Sequence, residues 1–300
     1  MLAGMRASGR TLQIHGNLTK LRALPVDDVM VALSTARITG GFAHYAGDLV
    51  ATVPAGWTLR AANEALRQER QWIPVDPAFS DRATIGGIVA TNDSGPRRQR
   101  YGSPRDLVIG MEVALTSGTV ARSGGRVVKN VAGYDLSRLF CGSRGSLGLI
   151  TSVNFKLSPV APASQTVVAR CATPQQVAAA ALALATNASL TPSTLELTAP
   201  GCQLLVRYET TPGVCDRMAA ATASLLRSAG ADVDILADDD EARTWDAHQR
   251  AESATDGLII RLTVLPTVSG AALEDVARLA TEFGVDWSAT GRPALGVLRI

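Results

Sequence analysis

The sequence predicts an α+β protein built from two consecutive domains, residues 1–160 and 161–300. The first domain is rich in glycine and short strands, whereas the second is helical and rich in alanine. The change falls at Ser158-Pro159-Val160-Ala161-Pro162, where two prolines flank small residues after a strand, as is typical of a domain linker. With 300 residues, 46% of them hydrophobic, the chain is long enough to bury two cores.

Strand and helix patterns define the order of elements in the second domain. Upstream of the linker, residues 149–157 alternate apolar and polar side chains, which predicts a half-buried strand. Thr173 and Pro174 mark the start of a helix over residues 174–186. The other predicted elements are strands at 166–171, 195–198, 203–208 and 232–236 and a helix at 214–228. Their order, β-α-β-β-α-β, is the ferredoxin-like arrangement.

A second copy of this arrangement begins near residue 258. The pattern predicts a strand at 258–265, a helix at 271–283 and strands at 285–289 and 294–300. The copy lacks its last helix and strand, so we expect the second domain to be incomplete at its carboxyl terminus.

Charge and hydropathy exclude several classes of protein. Lys and Arg number 29 against 27 Asp and Glu, so the net charge of +2 gives no reason to expect a polyanionic partner. The longest apolar run, residues 177–185, is far shorter than the ~20 residues that cross a bilayer. No apolar segment of the signal-peptide kind follows the basic residues near the start. These patterns predict a cytoplasmic protein without a membrane span.

Cysteine and histidine spacing gives no indication of a metal centre. Zinc and iron–sulfur sites usually need closely spaced cysteine pairs, and no C-x-x-C pair occurs. The histidines form no H-x-x-x-H pair, and we expect them to lie near no acidic cluster. We therefore expect four reduced thiols and no metal. The residues are Cys141, Cys171, Cys202, Cys215, His15, His44 and His248.

Two glycine-containing segments have the pattern of a phosphate-binding loop. In the first, a strand ends at Gly16-Asn17-Leu18-Thr19-Lys20, whose backbone N–H groups can form an anion-binding nest, with Lys20 adding charge. In the second, Thr84 can cap a short helix that contains Gly86 and Gly87, so that N–H groups can meet a diphosphate directly. An ordinary strand–turn and a structural Gly-Gly turn are the alternatives.

A third segment, residues 95–106, contains four arginines. Nucleic-acid binding needs several phosphate contacts at once, and this cluster is short in a nearly neutral chain. We expect a loop that docks on a cofactor or on a partner subunit instead. The arginines are Arg97, Arg98, Arg100 and Arg105.

The fourth segment is a short helix followed by three glycines. Leu136, Leu139 and Phe140 form one face of this helix, and glycines at 142, 145 and 148 precede the alternating strand. A helix stands where a Rossmann turn would have a strand, and no G-x-G-x-x-G occurs here. Glycines at this density favour a backbone that lies close to a flat ligand.

Together these segments resemble the FAD-binding domain of the vanillyl-alcohol-oxidase/PCMH flavoprotein family, in its branch of FAD-linked D-2-hydroxyacid oxidases and dehydrogenases. Within that branch, Ser94-Gly95-Pro96-Arg97-Arg98, then Arg105-Asp106 and the string from Gly125 to Leu139, resemble the FAD-binding subunits of bacterial glycolate oxidase. The likeness is strong over residues 10–160 and weak beyond.

The resemblance implies a PCMH-type FAD-binding domain of two α+β subdomains, followed by a ferredoxin-like cap domain. It implies non-covalent FAD, with the diphosphate at residues 16–20 and the adenine end held by backbone groups at residues 148–150. His15, beside the first loop, is interpreted as a strand residue. The implied cofactor-binding residues are Gly16, Asn17, Leu18, Thr19, Lys20, Ile85, Gly86, Gly87, Thr91, Asn92, Ser94, Gly95, Arg105, Asp106, Gly148 and Ile150.

The resemblance also implies an oxidoreductase subunit of a glycolate-oxidase-type complex. It would support oxidation of a 2-hydroxyacid, active only with a second flavoprotein subunit and an iron–sulfur subunit that takes the electrons and can hold it at the inner membrane. No catalytic residue is assigned, because the His-Gly motif of the catalytic branch is absent; Arg207, Arg261 and Arg292 are equal candidates for a carboxylate-binding cation. A self-sufficient FAD oxidoreductase and a non-catalytic assembly subunit are the alternatives.

Overall fold

The computed structural model describes residues 11–20, 30–127, 134–253 and 257–300. It divides into two compact units, the first comprising Met1–Gly95 and Tyr101–Val160 and the second Pro96–Arg100 and Ala161–Ile300. Residues 128–133, part of the string that carries the resemblance, lie outside the described residues.

The first unit is built around a five-stranded sheet. Its strand order is β3-β4-β8-β6-β7, and β1 with β2 and β5 with β9 form two further small sheets. Only the β1–β2 pair is parallel among these. The strands are β1 (Thr11–His15), β2 (Met30–Ser34), β3 (Ala43–Tyr45), β4 (Val50–Pro54), β5 (Gln71–Trp72), β6 (Val108–Ala114), β7 (Val120–Gly124), β8 (Leu149–Lys156) and β9 (Ser158–Pro159).

Short helices pack on these strands and close one hydrophobic core. Val53, Ile73, Ile85, Val153 and Phe155 are almost fully buried in it. Burial of such side chains supplies most of the stabilisation of the unit. The helices are α1 (Leu59–Leu66), α2 (Ile85–Thr91), α3 (Arg98–Tyr101, which begins in the second unit), α4 (Pro104–Leu107) and α5 (Leu136–Phe140).

Strand β8 confirms the predicted alternating strand, with one departure. In a regular strand, Ile150 would lie on the opposite face from Leu149 and Val153, yet all three side chains are buried. The register with β6 shifts between Glu112 and Val113, which is a β-bulge. Because a bulge adds one residue to one strand, it redirects the side chains on either side of it.

The second unit contains a seven-stranded sheet of order β13-β10-β12-β11-β15-β16-β14. The strands are β10 (Ala163–Arg170), β11 (Thr194–Ala199), β12 (Gln203–Thr210), β13 (Asp232–Leu236), β14 (Arg261–Thr263), β15 (Ala289–Arg292) and β16 (Val297–Arg299). The helices are α6 (Pro174–Thr186), α7 (Pro212–Ser228), α8 (Asp238–Glu252) and α9 (Ser269–Phe283).

The sheet order confirms the ferredoxin-like interpretation and its repetition. In the first copy, the first strand β10 pairs with the third, β12, which pairs with the second, β11. In the second copy β14 pairs with β16, and β16 pairs with β15, in the same order. The copies join through β11 and β15. The second copy therefore repeats the topology of the first.

Most of these elements were predicted from local sequence signals. Thr173 caps α6, since its hydroxyl accepts a hydrogen bond from the Gln176 N–H at 3.2 Å. The strand predicted over residues 258–265 is shorter, because only Arg261–Thr263 pair in the sheet. The strand predicted at 285–289 begins instead at Ala289 and continues to Arg292.

Helix α8 was not predicted. Its buried side chains are Glu241, His248 and Glu252, so it has no apolar stripe for a periodicity argument to find. It packs through polar contacts on β10 and β15, where the Trp245 indole N–H donates to the Thr166 hydroxyl at 2.8 Å.

The proline-containing segment 158–162 is held to the first unit at its start. Ser158 and Pro159 form β9, which pairs with Trp72 and Gln71 of β5. The Val160 N–H then donates to the Arg70 carbonyl at 2.8 Å. The chain passes into the second unit directly after this bond.

Candidate cofactor-binding site

The first unit contains a cavity of about 990 Å³, a volume that includes its opening to solvent. Its wall is formed by the loop after β1, one side of α2, and the segment that leads into β8. Ten of the sixteen predicted cofactor-binding residues lie on this wall. They are Gly16, Asn17, Leu18, Thr19, Lys20, Gly86, Gly87, Thr91, Gly148 and Ile150.

The loop after β1 has the conformation of an anion-binding nest. Leu18 has a left-handed backbone with φ of 58°, which non-glycine residues rarely adopt. Within the described residues, no backbone N–H from Gly16 to Thr19 donates to a backbone carbonyl. Such N–H groups beside a left-handed residue form a concavity that favours anions.

Gly16 makes a close approach possible between this loop and α2. A Cβ atom at Gly16 would lie 2.2 Å from Thr84 Oγ1, far inside van der Waals contact. Thr84 is the N-cap of α2, and its hydroxyl accepts a hydrogen bond from the Gly87 N–H at 3.3 Å. Only glycine therefore fits at position 16, where the loop passes Thr84.

Two side chains of the loop hold it to the rest of the unit. The Asn17 amide donates to the Arg82 carbonyl at 2.8 Å, and the Lys20 ammonium donates to the Ala78 carbonyl at 2.7 Å. Lys20 also forms an ion pair with Asp93. The lysine expected to supply charge to a phosphate is thus already balanced by a carboxylate.

The first turn of α2 corrects the prediction that its N–H groups face a diphosphate. The Ile85 N–H donates to the Trp57 carbonyl and the Gly86 N–H to the Ala55 carbonyl, both at 2.9 Å. The Ile85 side chain is 1% exposed and belongs to the core rather than the wall. The glycines of this turn therefore provide space for a ligand rather than donors.

Asn92, Arg105 and Asp106 do not lie on the cavity wall. They instead make local structural hydrogen bonds. Asn92 ends α2 in a left-handed conformation, and its side-chain oxygen accepts a hydrogen bond from the Arg105 N–H at 3.0 Å. The Asp106 carboxylate accepts hydrogen bonds from the Ser103 N–H and hydroxyl, both at 2.8 Å, as a capping box of α4.

Ser94 and Gly95 also lie away from the wall. A Cβ atom at Gly95 would be 1.8 Å from the Asp76 carbonyl oxygen, so this glycine is required by backbone packing. Ser94 is half-buried beside it. Neither residue lies on the cavity wall, so their predicted contact with the cofactor stays a prediction.

The segment that leads into β8 supplies the opposite part of the wall. Gly148 packs closely, since a Cβ there would be 3.1 Å from the Ala114 carbonyl oxygen. Arg144 and Gly145 also lie on the wall, although the sequence analysis did not assign them. The run of glycines at 142, 145 and 148 was the available signal.

The arginine-rich segment is not the free loop that the sequence suggested. The Arg97 guanidinium donates to both carboxylate oxygens of Glu209, with the Nη2–Oε1 distance at 2.7 Å. Burial alone would raise the pKa of Glu209, but Arg97 outweighs it and holds that pKa at about 2. Arg97 is therefore a half-buried ion-pair partner of Glu209.

Two of the arginines considered for a substrate carboxylate are also paired. Arg207 Nε lies 2.9 Å from Glu241 Oε1, and Arg292 Nε lies 3.0 Å from Glu196 Oε1. Arg261, the third, is exposed on β14. Two candidate cations thus already have buried carboxylate partners.

His248 lies between two carboxylates, which corrects the expectation that no histidine is near an acidic cluster. Its Nε2 is 3.3 Å from Glu196 Oε2, and Arg292 Nη2 is 3.1 Å from Glu252 Oε2. Burial alone would lower the pKa of His248, but Glu196 and then Glu252 outweigh it and raise that pKa.

Glu196, His248 and Glu252 are also close enough to share a cation. Arg292 already bridges both carboxylates, and a proton on His248 would bring this buried group to zero net charge. Since the cluster can balance its charge internally, its chemistry does not require a metal ion.

The wall of the cavity fits FAD in shape and charge. The loop offers unbonded N–H groups, Gly87 has no neighbour of its missing side chain except Thr84 Oγ1, and no wall residue is acidic. An anionic diphosphate is favoured by such surroundings.

Comparison with known proteins agrees with this geometry. Residues 2–124 match the family described as FAD binding domain. The chain is 42% identical over 122 residues to the glycolate oxidase subunit GlcD of Bacillus subtilis, covering 41% of this chain and 26% of that protein. It is 44% identical over 113 residues to the glycolate oxidase subunit GlcE of Escherichia coli, covering 37% and 32%.

A third relative is the mitochondrial D-lactate dehydrogenase [cytochrome] of Arabidopsis thaliana, 40% identical over 142 residues, 47% of this chain and 24% of that protein. These matches span a third or less of each relative. An alkyldihydroxyacetonephosphate synthase structure covers 99% of this chain and 67% of its own, with a TM-score of 0.80 and 16% identity, which shows a shared fold.

Residues 2–124 therefore match an FAD-binding domain, and the cofactor of this protein is FAD. The curated relatives that the chain matches are named as subunits of glycolate oxidase and as D-lactate dehydrogenase. Across the described residues, no helix is long and apolar enough to cross a membrane.

Proposed function

We propose that this chain is the FAD-binding subunit of a glycolate-oxidase-type complex and that its cavity holds FAD without a covalent bond. The observation that carries the proposal is the unbonded loop from Gly16 to Thr19 on a wall that has no acidic residue. In this proposal the loop N–H groups meet the diphosphate. Gly87 leaves space beside it, and backbone groups from Gly148 to Ile150 hold the adenine end.

The proposal assigns residues 1–160 to cofactor binding and residues 161–300 to a cap domain. The residues of the two compact units support this division, because the boundary between the units also falls at residues 160 and 161. The exception is Pro96–Arg100, which belongs to the second unit. The ferredoxin-like order of β10 to β13 agrees with a cap domain of the family that the sequence resembles.

When bound, FAD can accept a hydride from the carbon that bears the hydroxyl of a 2-hydroxyacid. The task of this chain is to bind and orient the cofactor. Arg207 and Arg292 have buried carboxylate partners, so neither offers a free cation to a substrate carboxylate. For this reason we propose that turnover requires a second flavoprotein subunit, and that an iron–sulfur subunit takes the electrons.

A self-sufficient 2-hydroxyacid dehydrogenase is the second candidate. The likeness to the Arabidopsis D-lactate dehydrogenase favours it, because that name describes a dehydrogenase rather than a subunit. The two candidates share the cofactor and differ in whether the purified chain oxidises substrate alone.

One purification separates these candidates. The tagged chain is isolated from its native host under mild conditions and, in parallel, from a heterologous host that lacks related subunits. Flavin is measured by absorbance, copurified subunits by mass spectrometry, and activity by dye reduction with glycolate and D-lactate. We expect FAD in both preparations, but dye reduction and an iron–sulfur subunit only in the native one.

The possible results have distinct meanings. Robust dye reduction by the heterologous preparation would reject the complex and support the self-sufficient dehydrogenase. A flavin-free chain that takes up no added FAD would reject both candidates. FAD without activity in either preparation would leave an assembly subunit.

A further inference from the structure

Among the described residues, three side chains on the cavity wall can carry positive charge: His15, Lys20 and Arg144. The first two already have partners among the described residues. His15 Nδ1 lies 2.8 Å from the Gly16 carbonyl oxygen, at the end of β1. Lys20 is 11% exposed and is paired with Asp93. His15 is thus engaged by a backbone carbonyl, and the charge of Lys20 is balanced by a carboxylate.

Arg144 differs from them. Its side chain is exposed, and within the described residues it makes no ion pair and no hydrogen bond. An unpaired guanidinium on the wall of a cavity without carboxylates is the natural partner of an anionic ligand, since its planar fork can donate two hydrogen bonds to a phosphate.

The backbone fixes where Arg144 lies. Its φ of 54° is left-handed, a conformation that costs about 1 kcal/mol for a non-glycine residue and is concentrated at functional sites. Its N–H donates to the Ala90 carbonyl at 2.7 Å, and the Gly142 N–H donates to the Val89 carbonyl at 3.0 Å. These bonds hold the segment against the last turn of α2.

The other side of the same segment lies beside β1. A Cβ atom built at Gly145 would be 3.5 Å from Ile14 Cβ, so Gly145 packs directly against the strand that leads into the nest. Arg144 is therefore held between α2 and β1, the two elements that meet at Gly16 and Thr84.

We infer that Arg144 is the residue of this chain that neutralises the diphosphate of bound FAD, and that Lys20, in the motif position, is a structural brace. This inference rests on the proposed placement of FAD in the cavity. It assigns two groups on the wall to the diphosphate, the uncharged N–H groups of residues 16–19 and the guanidinium of Arg144.

The test is flavin binding by the apoprotein, prepared at low pH in high salt and refolded. Binding of FAD and of riboflavin, which lacks phosphate, is measured by quenching of flavin fluorescence at several NaCl concentrations. We expect Arg144→Asn to weaken FAD binding about 10-fold or more, the typical effect of a charge-assisted hydrogen bond. Asparagine is chosen because it tolerates the left-handed backbone.

Two further readouts identify the cause. Riboflavin affinity should stay unchanged in Arg144→Asn, and FAD binding should become less sensitive to salt, because a screened charge pair has been removed. Arg60→Gln removes one positive charge from an exposed position on α1 and serves as the control, with no expected effect. Arg144→Lys should restore part of the FAD affinity, since it keeps the charge without the planar fork.

The inference is overturned if Arg144→Asn binds FAD as the unchanged chain does, or if it loses FAD and riboflavin equally. Gly16→Val separates that outcome from a misplaced cofactor, because it closes the crossing at Thr84 within the same cavity. If Gly16→Val also binds FAD normally, the proposed placement itself is wrong.

Discussion

The Arg97 guanidinium reaches both carboxylate oxygens of Glu209, at 2.7 Å from Oε1 and 3.1 Å from Oε2. The Glu209 side chain is 9% exposed and that of Arg97 is 18% exposed, so this is a largely buried bidentate ion pair. It anchors the five residues Pro96–Arg100 in the second unit, although both neighbouring stretches of chain belong to the first. The sequence suggested a loop that docks on a cofactor or a partner, whereas in the structure residues Pro96–Arg100 belong to the second unit.

Loss of this pair should destabilise the protein and make its free energy of unfolding less dependent on pH between about 4.5 and 2. The pKa of Glu209 is held at about 2, below its unfolded value, so the stabilisation is present above about pH 4.5 and is lost as the pH falls to 2. Such a shift corresponds to stability on the order of 3 kcal/mol. Arg97→Gln removes the bidentate partner and leaves Glu209 with the longer Arg207 contact of 3.9 Å, so it should lower the free energy of unfolding at pH 7 by about 3 kcal/mol.

Urea unfolding at pH 7, 4 and 3 measures both effects. Arg278→Gln breaks an exposed pair with Asp275 on α9 and is the matched control, with an expected cost below about 1 kcal/mol. Equal stability of Arg97→Gln and Arg278→Gln at pH 7 would show that the Arg97–Glu209 pair contributes little.

His248 should remain protonated above the usual range for histidine. Burial lowers its pKa, but Glu196 and Glu252 raise it by more, with Arg292 opposing them. A raised folded pKa gives stability that is complete below about pH 6.5 and is lost as the pH rises through the folded pKa. We therefore expect the second unit to lose stability towards alkaline pH, and His248→Gln to be less stable at pH 6 but less sensitive to pH.

NMR titration of the histidine side chains checks this assignment directly. The signal of His248 is assigned by its absence from the spectrum of His248→Gln. A titration midpoint for His248 below 6.5 would mean that burial, rather than the carboxylates, determines its pKa.

The sequence was most informative where local signals act alone. Thr173 capping α6 and the strand Asp232–Leu236 were predicted at their observed positions, because caps and alternating residues depend on near neighbours in the chain. Helix α8 was missed because its buried face is made of Glu241, His248 and Glu252, which find partners only after folding.

The same distinction applies to the site. The nest at Gly16–Thr19 and the glycines of α2 were visible as local motifs. That Lys20 would pair with Asp93, 73 residues away, depends on tertiary structure and has no local signal. The capping role of Asp106, in contrast, could have been found from the spacing Ser103-x-x-Asp106.

FAD should be released from the protein by acid. His15 is the histidine nearest to the phosphate loop, but its Nδ1 is engaged with the Gly16 carbonyl and it ends strand β1. We expect trichloroacetic acid to leave the flavin in the supernatant, for the unchanged chain and for His15→Ala alike. Yellow colour that stays in the pellet of the unchanged chain and disappears in His15→Ala would establish a covalent bond at His15.

The neighbouring glycines of α2 should respond differently to the same substitution. A Cβ atom at Gly87 would meet only Thr84 Oγ1, at 3.1 Å, whereas one at Gly86 would meet the Ala55 Cβ at 3.0 Å and carbonyl oxygen at 3.2 Å. Gly87→Val therefore places its side chain at the cavity wall, and Gly86→Val forces α2 away from Ala55. Overpacking of this kind typically costs about 1–3 kcal/mol.

In Gly87→Val the added side chain should hinder the ligand, so FAD affinity should drop about 10-fold to 100-fold while the melting temperature of the apoprotein stays nearly unchanged. In Gly86→Val the added side chain should destabilise the folded protein and lower the melting temperature of the apoprotein. Flavin fluorescence quenching and thermal unfolding followed by circular dichroism measure the two effects. Undiminished FAD affinity in a folded Gly87→Val variant would place the cofactor away from this face of α2, since a ligand in the cavity cannot avoid the added methyl groups.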